Sequence, residues 1–223
     1  MRIDIITGFP KLLRSPLGES IIRQAKQKKL VHIRLHDLRK YAHDRHRTID
    51  DTPYGGGAGM VLKPAPFFEC VEALKIKRIY DEIIYLTADG ELFTQKTANE
   101  LSLKRNLLLL CGHYKGVDNR VREKLVTREI SVGNYVLTGG EIAAAVVVDA
   151  VVRLLPGVIG DGESLLDDSF QDGLLGSPSY TKPAEYRGMK VPAVLLSGNH
   201  KAITEWRQEQ RILRTKTRRK SLN

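Results

Sequence analysis

Cysteine is nearly absent from this chain. Among 223 residues only Cys70 and Cys111 occur, they form no CxxC pair, and two thiols cannot build a disulfide framework. Structural zinc and dithiol redox chemistry therefore have nothing to stand on. Long apolar runs are also lacking: the most apolar stretch, 142–159, is broken by Asp149, Arg153, Pro156 and Gly157, so it does not read as a membrane span. The opening MRIDIITGFPK has no apolar signal-peptide core, which makes the cytoplasm the expected compartment. Several catalytic signatures are missing as well. No GxSxG occurs, so there is no nucleophile elbow, and His32 and His36 stand four apart without the glutamate of a zincin, which favours ordinary packing. No internal repeat or low-complexity tract appears.

What remains is an ordinary globular composition, 42% hydrophobic and 28% charged, which excludes disordered and fibrous classes. At roughly 150 residues per domain the length allows one or two domains. The charge is unevenly placed. Lys and Arg outnumber Asp and Glu by 36 to 26, and nine basic residues fall within 23–47 against only Asp37 and Asp44. A second basic block, eight residues within 201–220, faces Glu205 and Glu209 alone. Between them 161–172 holds five acids and no base. Two basic blocks flanking an acidic segment fit either a polyanion partner with an acidic site between, or simply solvated helix faces.

The alternating, β-branched run 2–7 predicts a first strand, followed by a helix over 18–29 and a short strand over 31–35. Segment 41–59 is polar and glycine-rich and reads as a long loop, a feature that is usually functional or disordered. Pro64 and Pro66 open a helix running to about residue 74. Three continuous apolar runs follow, 83–86, 107–110 and 129–131, each ending in glycine-bearing turn chemistry. Continuous runs interleaved with helices predict an α/β fold with a mostly parallel sheet, buried on both faces. In such sheets ligands sit at loops leaving the carboxyl ends of the strands. Gly139-Gly140 precede a helix over 141–155, and a basic helix is expected over 204–214. The expected organisation is a domain over 1–159, an acidic linker or lid over 160–172, and a small helical domain over 173–223.

Individual motifs leave choices open. Tyr54-Gly55-Gly56-Gly57-Ala58-Gly59 lacks both the GK[ST] ending of a P-loop and a GxGxxG leading into a helix, so it is a flexible turn or a phosphate cradle of another kind. His43-Asp44-Arg45-His46-Arg47 suits a phosphate or carboxylate clamp better than a metal, since its arginines repel cations. The adjacent carboxylates Asp167 and Asp168 repel one another, an arrangement that readies one as a general base; the alternative is that Asp168 or Ser169 caps a following helix. Arg153 either offsets a helix dipole or offers a cation to an active site.

Taken together, seven blocks carry a resemblance. They are HDRHRTIDDTPYGGGAGM (43–60), CGHYKGVDNRV (111–121), ISVGNYVLTGGE (130–141), RLLPGVIG (153–160), DDSF (167–170), YTKPAEYRG (180–188) and VPAVLLSGNH (191–200). In order and spacing, over nearly the whole chain, the sequence resembles the bacterial tRNA (guanine-N1)-methyltransferase family of the SPOUT class.

The resemblance implies transfer of a methyl group from S-adenosylmethionine to N1 of the guanine at position 37 of tRNA, just 3′ of the anticodon. It also implies a homodimer with its active sites at the subunit interface, and a sheet tied in a deep trefoil knot. By position, the cofactor contacts fall on Leu86, Thr87, Gly112, Tyr114, Val132, Gly133, Asn134, Tyr135, Val136, Leu137, Gly139 and Gly140. Asp168 matches the general base and Arg153 its partner, while the acidic linker is expected to order when tRNA binds. The basic blocks are expected along the anticodon stem-loop, and His46, Arg47, Tyr54, Asn199 and His200 match motifs near the RNA. Lys115 and Asn134 depart from the pattern, standing where the family commonly carries glutamate and aspartate. The Mg²⁺ associated with the family is possible here, yet no metal motif is legible. Two other readings are open at this point: a SPOUT enzyme methylating another RNA position, such as a ribose hydroxyl, and a non-catalytic RNA-binding protein. The DDSF block argues against the first, and the presence of Asp168, Arg153 and the glycine loops against the second.

Overall fold

Continuous apolar strands can be buried only if both faces of their sheet are covered, and helices cover both faces here. The computed structural model describes residues 1–160 and 168–219, in two compact units, Met1–Gly160 and Asp161–Asn223. Most of the acidic segment, with Asp161, Glu163 and Asp167, lies outside the described residues, as does Lys220 of the basic tail.

In the first unit, β1 (Arg2–Thr7), β2 (His32–Asp37), β5 (Glu82–Leu92), β6 (Asn106–Cys111) and β7 (Arg128–Ser131) form one sheet in the order β2-β1-β6-β5-β7. Every pairing is parallel. Side chains alternate between the faces. Ile3, Ile5, Leu107, Leu109, Ile84 and Ile130 join one core, shared with α1 (Lys11–Arg14), α2 (Ser20–Gln27), α4 (Gln95–Ser102) and α6 (Gly140–Val152). Ile6, Leu108, Leu110, Ile83 and Tyr85 join the other, against α3 (Pro64–Lys75) and α5 (Asn119–Leu125). Each fully buried Ile or Leu contributes roughly 1.5–3 kcal/mol of transfer free energy.

Local chemistry sets the helix ends. Pro64 occupies the first turn of α3, where its missing N–H is no loss, and Phe67, Cys70, Val71 and Leu74 bury one face. Thr94 caps α4 by accepting from the Thr97 N–H. The helix expected over 141–155 stops at Val152, and Arg153 is its C-cap residue rather than part of its body. β5 runs beyond the expected 83–86: it bulges after Leu86 and pairs again with β7 through Glu91 and Leu92. Gly90 permits this, because a Cβ there would stand 2.6 Å from the Ile130 nitrogen. The long loop over 41–59 is mostly irregular but contains β3 (Asp50–Asp51), which pairs with β4 (Val61–Leu62).

One buried carboxylate ties the start of β1 to the α3 side. Asp4 accepts two hydrogen bonds from Arg2 (2.7 and 2.9 Å), one from Tyr80 (2.8 Å), and contacts His36 Nε2 at 2.6 Å. Burial alone would raise the Asp4 carboxyl. The hydrogen bonds of His36, Arg2 and Tyr80 outweigh it and hold the group well below the usual carboxylate range. His36 is thus a packing partner, as its lone spacing to His32 suggested.

The second unit has little regular structure. It comprises a hairpin of Glu185–Tyr186 and Met189–Lys190, a short helix Ala193–Leu196, and a terminal helix His200–Arg218 longer than the expected 204–214. Among the described residues no helix is long and apolar enough to cross a membrane.

Candidate active site

The bulged segment 87–90 of β5 and the loops 112–116 and 132–139 that leave the carboxyl ends of β6 and β7 close around one cavity of about 440 Å³. That volume lies within the range of small-ligand sites. The chain reaches it a fourth time at the start of α6, where the Gly140 N–H donates to the Gly112 carbonyl (2.8 Å) and Gly139 bridges His113. Only glycine fits at 140, since a Cβ would lie 2.9 Å from Cys111 Cα and 3.1 Å from the Gly112 nitrogen.

Eleven of the twelve expected cofactor positions line this cavity: Leu86, Thr87, Gly112, Tyr114, Val132, Gly133, Tyr135, Val136, Leu137, Gly139 and Gly140. Asn134 sits in the same loop, exposed, but is not among the lining residues. Asp89, His113, Lys115 and Arg122 also line the cavity and were not singled out as site residues. The first three belong to loops already marked by glycine chemistry. Arg122 lies on α5, with no local signal for its role.

The electrostatics of the wall are specific. Arg122 donates to both oxygens of Glu129 (2.8 and 2.6 Å) and to Asp89 (2.8 Å), and its guanidinium lies 5.5 Å from the Tyr85 ring centroid. The Asp89 carboxyl is held below its ordinary range by the Thr87 hydroxyl and then by Arg122. Glu141, almost fully buried in the first turn of α6, accepts from the Thr7 hydroxyl (2.6 Å) and lies 3.8 Å from His113 Nδ1. His113 stacks on Phe9 at 4.4 Å, and its buried Nδ1 has no hydrogen-bond partner among the described residues. Neither cysteine offers a nucleophile. Burial pushes the Cys70 thiol up to about 12 and the Cys111 thiol well above its ordinary value.

The glycine-rich loop also belongs to this region. The Lys115 N–H donates to the Met60 carbonyl and the Leu62 N–H to the Gly116 carbonyl, both at 3.0 Å, so the end of loop 54–59 is held beside loop 112–116. Tyr54 at its start is fully exposed. Upstream, Asp44 organises a tight turn by accepting from the N–H groups of His46 (2.9 Å) and Thr48 (2.8 Å). His46 and Arg47 consequently point into solvent, Arg47 at a left-handed φ of 52°. His43 is turned aside to Glu69 at 2.7 Å.

In the second unit, Asp168 is half-buried and lines a separate cavity of about 730 Å³ with Tyr180, Lys182 and Arg207. The helix cap considered for Asp168 or Ser169 is not formed. The segment after them is a turn, in which Ser169 Oγ accepts from the Gly176 N–H (2.8 Å). Asn199 is the N-cap of the terminal helix, accepting from the Ala202 N–H (3.2 Å), and His200 is the first, exposed residue of that helix.

Sequence comparison agrees over the full length. Residues 1–223 match the family model described as tRNA (Guanine-1)-methyltransferase TrmD. Proteins named tRNA (guanine-N(1)-)-methyltransferase are similar end to end: one from Azobacteroides pseudotrichonymphae is 54% identical, covering 100% of both chains. One from Cytophaga hutchinsonii is 55% identical over 100% of this chain and 94% of its own. One from Chlorobaculum tepidum is 55% identical over 98% and 95%. With an α/β parallel-sheet fold, a cavity at the carboxyl ends of its strands and similarity along its whole length, the chain belongs to the tRNA (guanine-1)-methyltransferase family, TrmD.

Proposed function

We propose that the protein transfers a methyl group from S-adenosylmethionine to N1 of the guanine at position 37 of tRNA, as a cytoplasmic homodimer. A methyltransferase of this family requires a methyl donor. The reading is carried by one observation: eleven positions assigned to the donor by resemblance line a single cavity. The donor set suits such a ligand. Glycines at 112 and 140 let the cavity loops pack closely on one another, apolar Leu86, Val132 and Leu137 offer a surface for a flat base, and buried His113 Nδ1 is without a hydrogen bond among the described residues.

Bound there, S-adenosylmethionine supplies an electrophilic methyl group. The chain must make the guanine a nucleophile, because N1 carries a proton. Asp168 accepts that proton as general base. The Arg153 guanidinium stabilises the negative charge that builds toward O6 as the proton leaves. The loops lining the cavity hold the reacting groups in line, and the target base leaves its stack to reach them. The unit Asp161–Asn223 acts as the tRNA-binding domain, with phosphates of the anticodon stem-loop meeting the basic faces, and His46, Arg47, Tyr54 and His200 lie near the RNA. Asn199 contributes through the cap that orients the terminal helix.

Dimerisation is supported by α6. Ile142 and Val146, one turn apart, are 51% and 47% exposed on a helix whose opposite face is buried against the sheet, and Leu12 is 51% exposed. The trefoil knot belongs to the same reading, supported by the return of Gly139 and Gly140 to His113 and Gly112. The described residues do not fit a protein-held Mg²⁺. No group of three or more His, Cys, Asp or Glu among the described residues could hold a metal, and the cavity's Asp89 is engaged by Arg122 and Thr87. No step is routed through a metal. The test is transfer of radiolabel from S-adenosylmethionine to unmodified tRNA with guanine at position 37, against the same tRNA with adenine there. Label on the first alone supports the reading; equal labelling or none overturns it.

A further inference from the structure

Among the described residues two strong cations line the donor cavity, and only one of them is neutralised there. Arg122 is matched by Glu129 and Asp89. The Lys115 ammonium has no ion pair or hydrogen bond among the described residues, although it lines the same cavity. Its place is fixed from both ends. The backbone is held by the bond to the Met60 carbonyl. The stem lies along the glycine-rich loop: a Cβ added at Gly59 would stand 3.1 Å from Cε and 3.3 Å from Cγ, and one at Gly57 would stand 3.5 Å from Nζ. Both glycines have left-handed φ, 94° and 95°. At 57 and 59 the loop therefore offers no side chain to cover the ammonium, and a lysine stem lying on bare backbone there gives up rotamer freedom before any ligand arrives.

We propose that Lys115 is the anion-holding residue of this cavity, taking a carboxylate or phosphate, and that the carboxylate at the amino-acid end of the methyl donor is the anion it meets first. The inference rests on the cavity being the donor site. An ammonium at the exposed rim of a cavity, with no counter-ion among the described residues, favours an incoming anion, because each partner then satisfies a charge the other leaves open. The nearby acids do not compete: Asp89 of the wall is taken by Arg122 and Thr87, and Glu141, buried behind it, by Thr7 beside His113. A backbone phosphate of the RNA carries the same chemistry, and the loop 54–59 that Lys115 lies against opens to solvent at Tyr54.

The test uses the full-length protein and calorimetric titration with two probes. S-adenosylhomocysteine has the amino-acid end; 5′-methylthioadenosine lacks it. Lys115→Met keeps the stem's contact with Gly59 and removes only the charge. It is expected to weaken S-adenosylhomocysteine roughly tenfold or more while leaving 5′-methylthioadenosine unchanged, with Lys115→Arg restoring most of the loss. If both probes are unchanged but tRNA binding weakens and its salt slope drops by about one, the anion is an RNA phosphate and the site stands. If Lys115→Met changes neither probe nor tRNA binding, or weakens both probes equally, Lys115 holds no anion and the proposal fails while the donor reading survives. Wild-type protein that binds neither probe overturns the donor reading and the inference together.

Discussion

Thr7 and Glu141 stand 134 positions apart in the chain and share a 2.6 Å hydrogen bond behind the cavity. Thr7 ends β1 and Glu141 lies in the first turn of α6, so the bond fixes the helix that closes the cavity to the edge of the sheet that opens it. An acid in the first turn also suits the helix dipole. Thr7 Oγ1 in turn accepts from the Phe9 N–H (2.8 Å), and Phe9 stacks on His113 of the cavity wall.

Glu141→Ala leaves the Thr7 hydroxyl buried without its acceptor. The expected cost is about 2–3 kcal/mol of stability, or roughly 5–10 °C in Tm for a chain of this size. Glu141→Gln keeps an acceptor oxygen and is expected to lose less than half as much. Thermal unfolding of the two variants checks this; equal losses would mean that the charge, not the hydrogen bond, stabilises the helix start.

Asp4 gives the first unit a predictable acid limit. Its carboxyl is depressed in the folded protein, so its contribution is fully present above the unfolded value of about 3.9 and is lost as pH falls through the lower folded value. Asp4→Asn strands Arg2 and His36 and is expected to cost about 3 kcal/mol at neutral pH. Denaturant unfolding as a function of pH is expected to show a constant gap between wild type and variant above about pH 5, narrowing below about pH 4. A gap that widens on acidification would contradict the assignment.

Much of this architecture was legible in advance. Runs such as 107–110 are apolar at every position, which only a strand covered on both faces tolerates, and the glycines that end them marked the cavity loops. What could not be read has physical causes. Arg122 sits on a short amphipathic helix whose pattern encodes packing alone; its place in the cavity depends on Glu129 and Asp89 arriving from β7 and the β5 bulge. The end of α6 at Val152 rather than 155 was obscured because Leu154 and Leu155 resume the apolar pattern after Arg153, up to the proline. The capping role of Asn199 was hidden by a motif that pointed to RNA.

Gly140→Ala separates the cavity from the fold. The added methyl meets Cys111 Cα and the Gly112 nitrogen, which are backbone and cannot rotate away. Loop 112–116 must shift, and calorimetry is expected to show S-adenosylhomocysteine affinity falling by roughly tenfold or more while the far-ultraviolet spectrum of the protein is retained. Unchanged affinity would place the donor elsewhere.

Asp168→Asn is expected to bind S-adenosylhomocysteine and tRNA as the wild type does, yet to lose about 10²–10⁴ in single-turnover rate. The loss is expected to be largest at neutral pH and to shrink as rising pH begins to deprotonate guanine N1 itself. Arg153→Ala is expected to lose about 10²–10³ in the same measurement. A near-normal rate for either variant removes that residue from the chemistry.

The most direct measurement is the identity of the modified nucleoside. After reaction with S-adenosylmethionine, tRNA bearing guanine at position 37 is digested and the methylated fragment analysed by mass spectrometry. The account predicts 1-methylguanosine at position 37 and nowhere else. A methyl group on a ribose hydroxyl, on another base, or at another position would leave the fold and cavity standing and contradict the assignment of Asp168 and of the reaction.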